Sequence, residues 1–193
     1  MIRFLNPSFA VLLSALAAGC AGGGARDAAL HLQPLTPGRP DYVQRFGQVY
    51  ATPNAAGGND VLLVDRSHPA VEQYLHVKVL WRPMSGMKAD QPSATNAAID
   101  WYVVSRDPDR PGVLRYAGAG FVLAQPANDE RLRVEVRNAS VKLERRDGDV
   151  YDPIGPAKLD GTFTATLDAG RVSTVLAELD AALAGPRTAQ VDR

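Results

Sequence analysis

Apolar and polar residues alternate in several segments of the chain, a pattern typical of half-buried β-strands. The alternation is clearest in Tyr74–Arg82 and Ile99–Ser105, where every second residue is apolar. Val113–Leu123 and Leu159–Leu167 follow the same pattern, and Asp60–Arg66 is a short run rich in Val and Leu. We therefore expect each of these five segments to form a strand.

Arg131–Arg145 alternates over a longer stretch, but its pattern changes phase. Apolar residues stand at even positions up to Val136 and at odd positions from Val141 onward. A change of phase within an alternating segment indicates a β-bulge or a break between two strands. We place this irregularity near Asn138.

The spacing of apolar residues changes from two to three and four near the C-terminus. Asp168 precedes this region as a candidate helix N-cap, and Gly185-Pro186 follows it as a stop signal. The apolar stripe consists of Val172, Val175, Leu176, Leu179 and Leu183. The sequence therefore predicts a mainly β domain, an antiparallel sheet or sandwich, with one C-terminal amphipathic helix packed on it. An α+β arrangement is the alternative.

The N-terminus has the architecture of a signal peptide. Arg3 provides the positive charge, and Phe9–Ala18 is a ten-residue apolar segment followed by small residues. A membrane span needs about 20 apolar residues, so this segment is too short to be one. We expect residues 1–19 to be removed during export.

The sequence Leu-Ala-Ala-Gly-Cys at residues 16–20 resembles the lipobox of bacterial lipoproteins, Leu-Ala/Ser-Gly/Ala-Cys. Leu16 lies four residues before Cys20, where the usual pattern has three. The resemblance covers only the first 20 residues. It implies cleavage before Cys20, attachment of diacylglycerol to its thiol and acylation of the new amine. The alternative is an ordinary secretory signal with an incidental cysteine. Cys20 is the only cysteine in the sequence, which rules out an internal disulfide.

These features divide the chain into a signal peptide (1–19), a flexible tether (20–40), one β-rich domain (41–185) and a C-terminal tail (186–193). Gly22–Gly24 and the prolines at 34, 37 and 40 suggest the tether. We expect the acylated Cys20 to hold the domain on a lipid bilayer in the cell envelope. Ala21 favours the outer over the inner membrane under the enterobacterial sorting rule, with the domain facing the periplasm or the cell surface.

Charge and composition exclude one class of partner. Lys and Arg number 21 and Asp and Glu number 21, so the chain lacks the basic surplus of a nucleic-acid-binding protein. The sequence contains no recognisable metal or cofactor motif. We therefore expect no metal and no cofactor, and a partner, if any, among envelope proteins or cell-wall components.

Two candidate binding regions stand out. The first is the segment Pro83–Ala98, which joins two strands and is much longer than the 2–5 residues of most hairpin loops. Its candidate binding residues are Ser85, Met87, Lys88, Asp90, Thr95 and Asn96. The alternative is that this long loop has no binding role.

The second candidate is the face shared by Tyr116, Gly118 and Gly120. Two successive positions on this face lack a side chain, which permits close approach of another group. That group is either an indole from Trp81 or Trp101, or a ligand or peptide in a shallow groove.

The sequence predicts a binding or scaffolding module rather than an enzyme. No nucleophile, base and orienting group can be assembled from neighbouring positions. The alternative is a cofactor-independent envelope hydrolase that uses residues of the 83–98 loop.

Overall fold

A computed structural model describes residues 28–83, 86–87, 91 and 94–184. Most of this part of the chain is β-structure, and one helix follows the last strand. The elements are β1 (Ala28–Pro34), β2 (Tyr42–Phe46), β3 (Gln48–Pro53), β4 (Asn59–His68), β5 (Val71–Val79), β6 (Ala97–Ser105), β7 (Gly112–Asn128), β8 (Arg131–Gly148), β9 (Ala157–Leu167) and α1 (Ala169–Leu183). The predicted mainly β domain with one C-terminal helix is confirmed.

The sheet closes on itself. Strands β3 to β8 are paired in chain order, each antiparallel to the next. Strand β9 pairs antiparallel with β8 and parallel with β3, so these seven strands form a barrel instead of a sandwich of two stacked sheets. The hairpin of β1 and β2 lies beside the first half of β9.

Large side chains fill the interior of the barrel. Trp101 lies between Phe46 and Tyr116, with ring centroids 5.9 Å and 6.3 Å apart, and all three side chains are fully buried. The apolar faces predicted for β5 and β6 point into this core, as their alternation requires.

Strand β1 corrects the predicted tether. Residues 28–34 were expected to be flexible, with the domain beginning at 41, but Ala28, Leu30 and Leu32 are fully buried. They alternate with Ala29, His31 and Gln33, so one face of a short strand enters the core. The prolines at 37 and 40 lie between β1 and β2, where the chain reverses. Residues 1–27, including Cys20, lie outside the described residues, as does the tail from 185.

The predicted irregularity in β8 is confirmed. Its pairing with β9 shifts register between Val136 and Ala139, and Asn138 has a positive φ of 47°. Asn tolerates this left-handed conformation better than most residues do. The bulge lets the apolar residues on both sides of it face the core despite their opposite parity.

Helix α1 begins as predicted at the N-cap Asp168, whose carboxylate accepts a hydrogen bond of 2.8 Å from the backbone N–H of Arg171. Its buried residues Val175 and Leu179 belong to a second, smaller apolar cluster on the outside of the barrel. That cluster is completed by Leu62, Val64, Tyr74 and Val104 of strands β4, β5 and β6. Each of these three strands therefore has at least one buried apolar side chain on its outer face as well as its apolar inner face.

Candidate functional site

The structure describes only part of the predicted binding loop. Ser85, Lys88 and Asp90 lie outside the described residues. Met87 is half-buried and Thr95 is exposed.

Asn96, the last residue of that candidate set, is 1% exposed and has a structural role. Its side-chain amide donates hydrogen bonds of 2.9 Å to the backbone carbonyls of Trp81 and Val122, and its side-chain oxygen accepts one of 2.8 Å from the N–H of Val122. These contacts fasten the end of the loop to β7. They leave Asn96 unavailable to a ligand at the surface.

The glycines of β7 permit a close approach, but the approaching group is backbone of β8. A Cβ on Gly118 would lie 1.7 Å from the carbonyl oxygen of Ser140, and one on Gly120 would lie 2.3 Å from the Cβ of Ala139. Tyr116 is fully buried in the core. The neighbouring strand therefore fills the space at Gly118 and Gly120 and leaves no room there for a ligand, while the Trp101 indole lies against Tyr116 in the core.

A different surface region brings charged residues together. A cleft of about 480 Å³ lies where the last turns of α1 pass over the ends of β4, β5 and β6. We call it the α1 cleft. It is lined by Arg66, Glu72, Tyr74, Arg106, Glu178, Ala181 and Ala182.

The sheet register explains how these residues meet. Glu72 and Tyr74 are two residues apart on β5 and share its outer face. Arg66 is near the end of β4, which is the neighbour of β5. Arg106 directly follows β6, and its backbone N–H donates to the carbonyl of Ala70 at 2.7 Å, which holds it beside the start of β5.

Hydrogen bonds link four of these side chains in a row. Arg66 Nη2 donates to the hydroxyl of Tyr74 at 3.2 Å, and that hydroxyl donates to Glu72 Oε2 at 2.6 Å. Arg106 Nη2 donates to the same Glu72 oxygen at 3.0 Å. Arg66 also pairs with Glu178 of α1, and its guanidinium lies 5.5 Å from the centre of the Tyr74 ring.

The network fixes the charge of each group. Burial raises the pKa of Glu72, but hydrogen bonds from Tyr74 and Arg106 outweigh it and hold that pKa below its usual value. Burial and the hydrogen bond to Glu72 raise the pKa of Tyr74. At neutral pH the α1 cleft therefore holds a neutral phenol between ionised arginines and carboxylates.

The ion pairs remain accessible to water. The side chains of Arg66 and Glu178 are 37% and 46% exposed, and that of Arg106 is 47% exposed. Partly exposed ion pairs of this kind contribute little to stability, because water competes for both partners. A charged ligand can therefore replace one partner at small cost.

A smaller cleft of about 150 Å³ lies at the other side of the end of α1, with Leu183 and Tyr102 in its lining. Arg115 lines it as well, but donates twice to Asp100, at 3.0 Å and 2.8 Å, and also pairs with Glu144. Two carboxylates thus already engage this arginine. The α1 cleft is the better candidate for a binding site.

Sequence reasoning did not single out any residue of the α1 cleft. Arg66, Glu72 and Arg106 belong to three different strands or their ends, and no motif spacing connects them. The available signal was a pair of adjacent polar residues, Glu72 and Gln73, at the start of a strand that otherwise alternates between apolar and polar residues. That signal alone does not distinguish a site from a solvated strand end.

Within the part of the chain that the structure describes, no three His, Cys, Asp or Glu residues are grouped as metal ligands would be. The one helix of that part is too short and too polar to cross a bilayer. The chain matches no protein-family model, no curated protein and no solved structure.

Proposed function

We propose that this chain is a lipid-anchored envelope protein that acts as a binding module, with the α1 cleft as its ligand site. The observation that carries the proposal is the row Arg66–Tyr74–Glu72–Arg106 at the mouth of an open cleft. The class of ligand follows from the donors that this row leaves unused.

Both arginines have spare hydrogen-bond donors. Arg66 uses Nη2 for its contacts with Tyr74 and Glu178, and Arg106 uses Nη2 for Glu72. Among the described residues, nothing accepts from the Nε or Nη1 of either side chain. Nε and Nη1 lie on different edges of the guanidinium, so each of these free donors can give a separate charge-assisted hydrogen bond to a carboxylate or phosphate oxygen. The ligand therefore carries an anionic group, such as the carboxyl end of a peptide or a phosphate ester.

The glutamates beside the two arginines also disfavour a ligand that carries a second negative charge. Glu72 and Glu178 flank the arginines, so a ligand with one anionic group and a nearby cation fits better than a polyanion. Peptide and protein termini of the envelope have this combination. Binding of such a ligand agrees with the ion pairs of the cleft, in which each arginine lies beside a glutamate.

The test uses the full chain with Cys20→Ser, observed through the ¹⁵N resonances of the arginine Nε–H groups. Acetate, inorganic phosphate and alanyl-alanine are titrated at constant ionic strength. We expect the resonances of Arg66 and Arg106 to move, with alanyl-alanine and acetate distinguishing a carboxylate site from a phosphate site. Arg66→Gln combined with Arg106→Gln should abolish the saturable shifts elsewhere in the cleft.

The matched control is Arg137→Gln, since Arg137 is 48% exposed and paired with Glu135 on another face. This variant should bind as the parent does. If none of the three anions moves the cleft resonances, or if both variants bind equally, the α1 cleft is not an anion site.

The anchor is tested separately. Mass spectrometry of the mature protein from its own envelope should show an N-terminal, acylated Cys20, and Cys20→Ala should leave the precursor uncleaved by the lipoprotein peptidase. An unmodified Cys20 in the native protein would overturn the proposed anchor. Membrane fractionation then tests the proposed outer-membrane location.

A further inference from the structure

Basic side chains collect on the outer surface of β8 and β9. Arg131 and Arg133 stand on β8 beside Thr166 and Thr164 of β9, and Lys142 and Lys158 lie farther along the same two strands. We call the four basic residues the basic face. All four are exposed, and within the described residues none of them forms an ion pair.

The neutral chain is therefore polarised. Strand β8 carries six basic and three acidic side chains, whereas α1 carries two acidic and one basic. Helix α1 covers the outer surface of β4, β5 and β6, across the barrel from β8 and β9. Strand β8 thus gives its side of the barrel an excess of positive charge, whereas the arginines of the α1 cleft on the helix side are balanced by Glu72 and Glu178.

The chain leaves the barrel beside this face. Strand β1 is antiparallel to β9, with Pro34 opposite Ala157 and Leu30 opposite Gly161. Followed backwards to Ala28, β1 therefore points in the direction in which β9 runs, towards Thr164 and Thr166. Those threonines are the partners of Arg133 and Arg131. Strand β1 therefore begins, at Ala28, towards the end of the basic face that carries two arginines.

Cys20 lies eight residues before Ala28. Eight residues span at most about 28 Å when fully extended. An acyl group on Cys20 therefore holds the barrel close to a bilayer, with the basic face on the side from which the chain departs.

We propose that the basic face rests on the anionic headgroups of the bilayer that holds the anchor. This orientation rests on the lipid anchor of the proposed function, whereas the affinity of the face for anionic lipid does not. The outer surface of β8 and β9 also carries threonines and three acidic residues: Glu135 and Glu144 are each paired with an arginine, and Asp160 accepts from the backbone N–H of Asn138. Its charge is positive on balance, which suits an anionic headgroup layer. Each basic residue near such a surface contributes about 1 kcal/mol, a factor of about five in binding.

The experiment uses the mature chain, residues 20–193, with Cys20→Ser, which carries neither the apolar signal segment nor an acyl group, so that binding measures the face alone. Sedimentation with vesicles of phosphatidylcholine containing about a third phosphatidylglycerol is compared with vesicles of phosphatidylcholine. We expect binding to the first and none to the second, and weaker binding as salt increases. Arg131→Gln with Arg133→Gln should lower the affinity by about 25-fold.

The matched control removes two exposed arginines elsewhere, Arg110→Gln with Arg171→Gln, at the β6–β7 turn and on α1. This variant has the same net charge as Arg131→Gln with Arg133→Gln, and its affinity for the anionic vesicles should fall less than threefold. Equal losses in both double variants, or no binding to anionic vesicles, would overturn the proposal. Concentration-dependent self-association that requires Arg131 and Arg133 would assign the face to a second copy of the chain, and would also overturn it.

The two proposals fail in distinguishable ways. An unacylated native Cys20 with vesicle binding intact removes the anchor but keeps the lipid-binding face. An acylated Cys20 with no vesicle binding keeps the anchor and removes the face.

Discussion

The phenol of Tyr116 donates a hydrogen bond of 2.5 Å to the carboxylate of Asp152, which joins β7 to the loop between β8 and β9. The same carboxylate oxygen accepts from the backbone N–H groups of Ile154 at 3.1 Å and Gly155 at 2.8 Å. Ile154 is 2% exposed and belongs to the barrel core. One carboxylate oxygen therefore holds this loop against an end of the barrel.

Stability should depend on pH through this carboxylate. Burial raises the pKa of Asp152, but the hydrogen bonds from Tyr116, Gly155 and Ile154 outweigh it and lower that pKa below its usual value. A lowered folded-state pKa stabilises the fold above the unfolded-state pKa of about 3.9, and this contribution disappears as the pH falls through the folded-state pKa. Tyr116→Phe should lower the free energy of unfolding by about 1.5–3 kcal/mol at pH 7.

Urea unfolding at pH 7 and pH 2.5 checks this prediction. The difference between the parent and Tyr116→Phe should be smaller at pH 2.5, because below the unfolded-state pKa of about 3.9 the stabilisation from the ionised carboxylate is progressively lost. An equal difference at the two pH values would contradict the role given to Asp152.

Asn96→Ala should destabilise the barrel by about 2–4 kcal/mol. The substitution leaves the N–H of Val122 and two backbone carbonyls without their side-chain partner in a buried place, and each such group costs about 1–3 kcal/mol. Thr95→Ala is the matched control, because Thr95 is exposed and should change stability by less than about 0.5 kcal/mol. Equal denaturation midpoints for both variants would show that the buried amide has no such role.

Gly118→Ala should prevent normal pairing of β7 with β8. Its Cβ would lie 1.7 Å from the carbonyl oxygen of Ser140, and backbone cannot move aside as a flexible side chain can. We expect little folded protein by circular dichroism at 25 °C. Gly47→Ala serves as the comparison, since no atom lies within 4 Å of its added Cβ, and it should fold normally. A well-folded Gly118→Ala protein would refute the close approach of the strands.

Leu179→Ala should cost about 2–5 kcal/mol in the free energy of unfolding, because Leu179 is 3% exposed between α1 and the sheet. Leu183→Ala removes the same atoms from a side chain that is 39% exposed and should cost less than about 1 kcal/mol. Chemical denaturation of the two variants measures both values. Similar losses in the free energy of unfolding would mean that the contacts of Leu183 at the end of α1 stabilise the helix as much as those of Leu179.

Alternation predicted the strands with large apolar side chains, and the helix followed from its spacing and from Asp168. Strand β1 was missed because its alternation covers only seven residues and the prolines at 34, 37 and 40 suggested a tether instead. Strands β2 and β3 are only five and six residues long, and Ala51 supplies part of the apolar face of β3. Short segments of this kind acquire their structure from pairing partners, which local sequence does not contain.

The candidate site was less accessible to prediction than the fold. Arg66, Glu72 and Arg106 come together only through the pairing of β4 with β5 and of β5 with β6. The residues that did attract attention, Asn96 and the glycines of β7, have unusual environments because they support the backbone. Asn96 and the glycines thus marked positions of close backbone packing. The cluster of charged residues, in contrast, results from how the neighbouring strands are aligned.

Strand β9 imposes an order on folding. It pairs with β1, β3 and β8, so strands from both ends of the barrel depend on the last strand in chain order. Until β9 has paired, β1 has only the short β2 as a neighbour in the sheet. Pairings this distant in sequence form slowly. The barrel therefore stays open along one seam until β9 pairs on both of its edges and closes it.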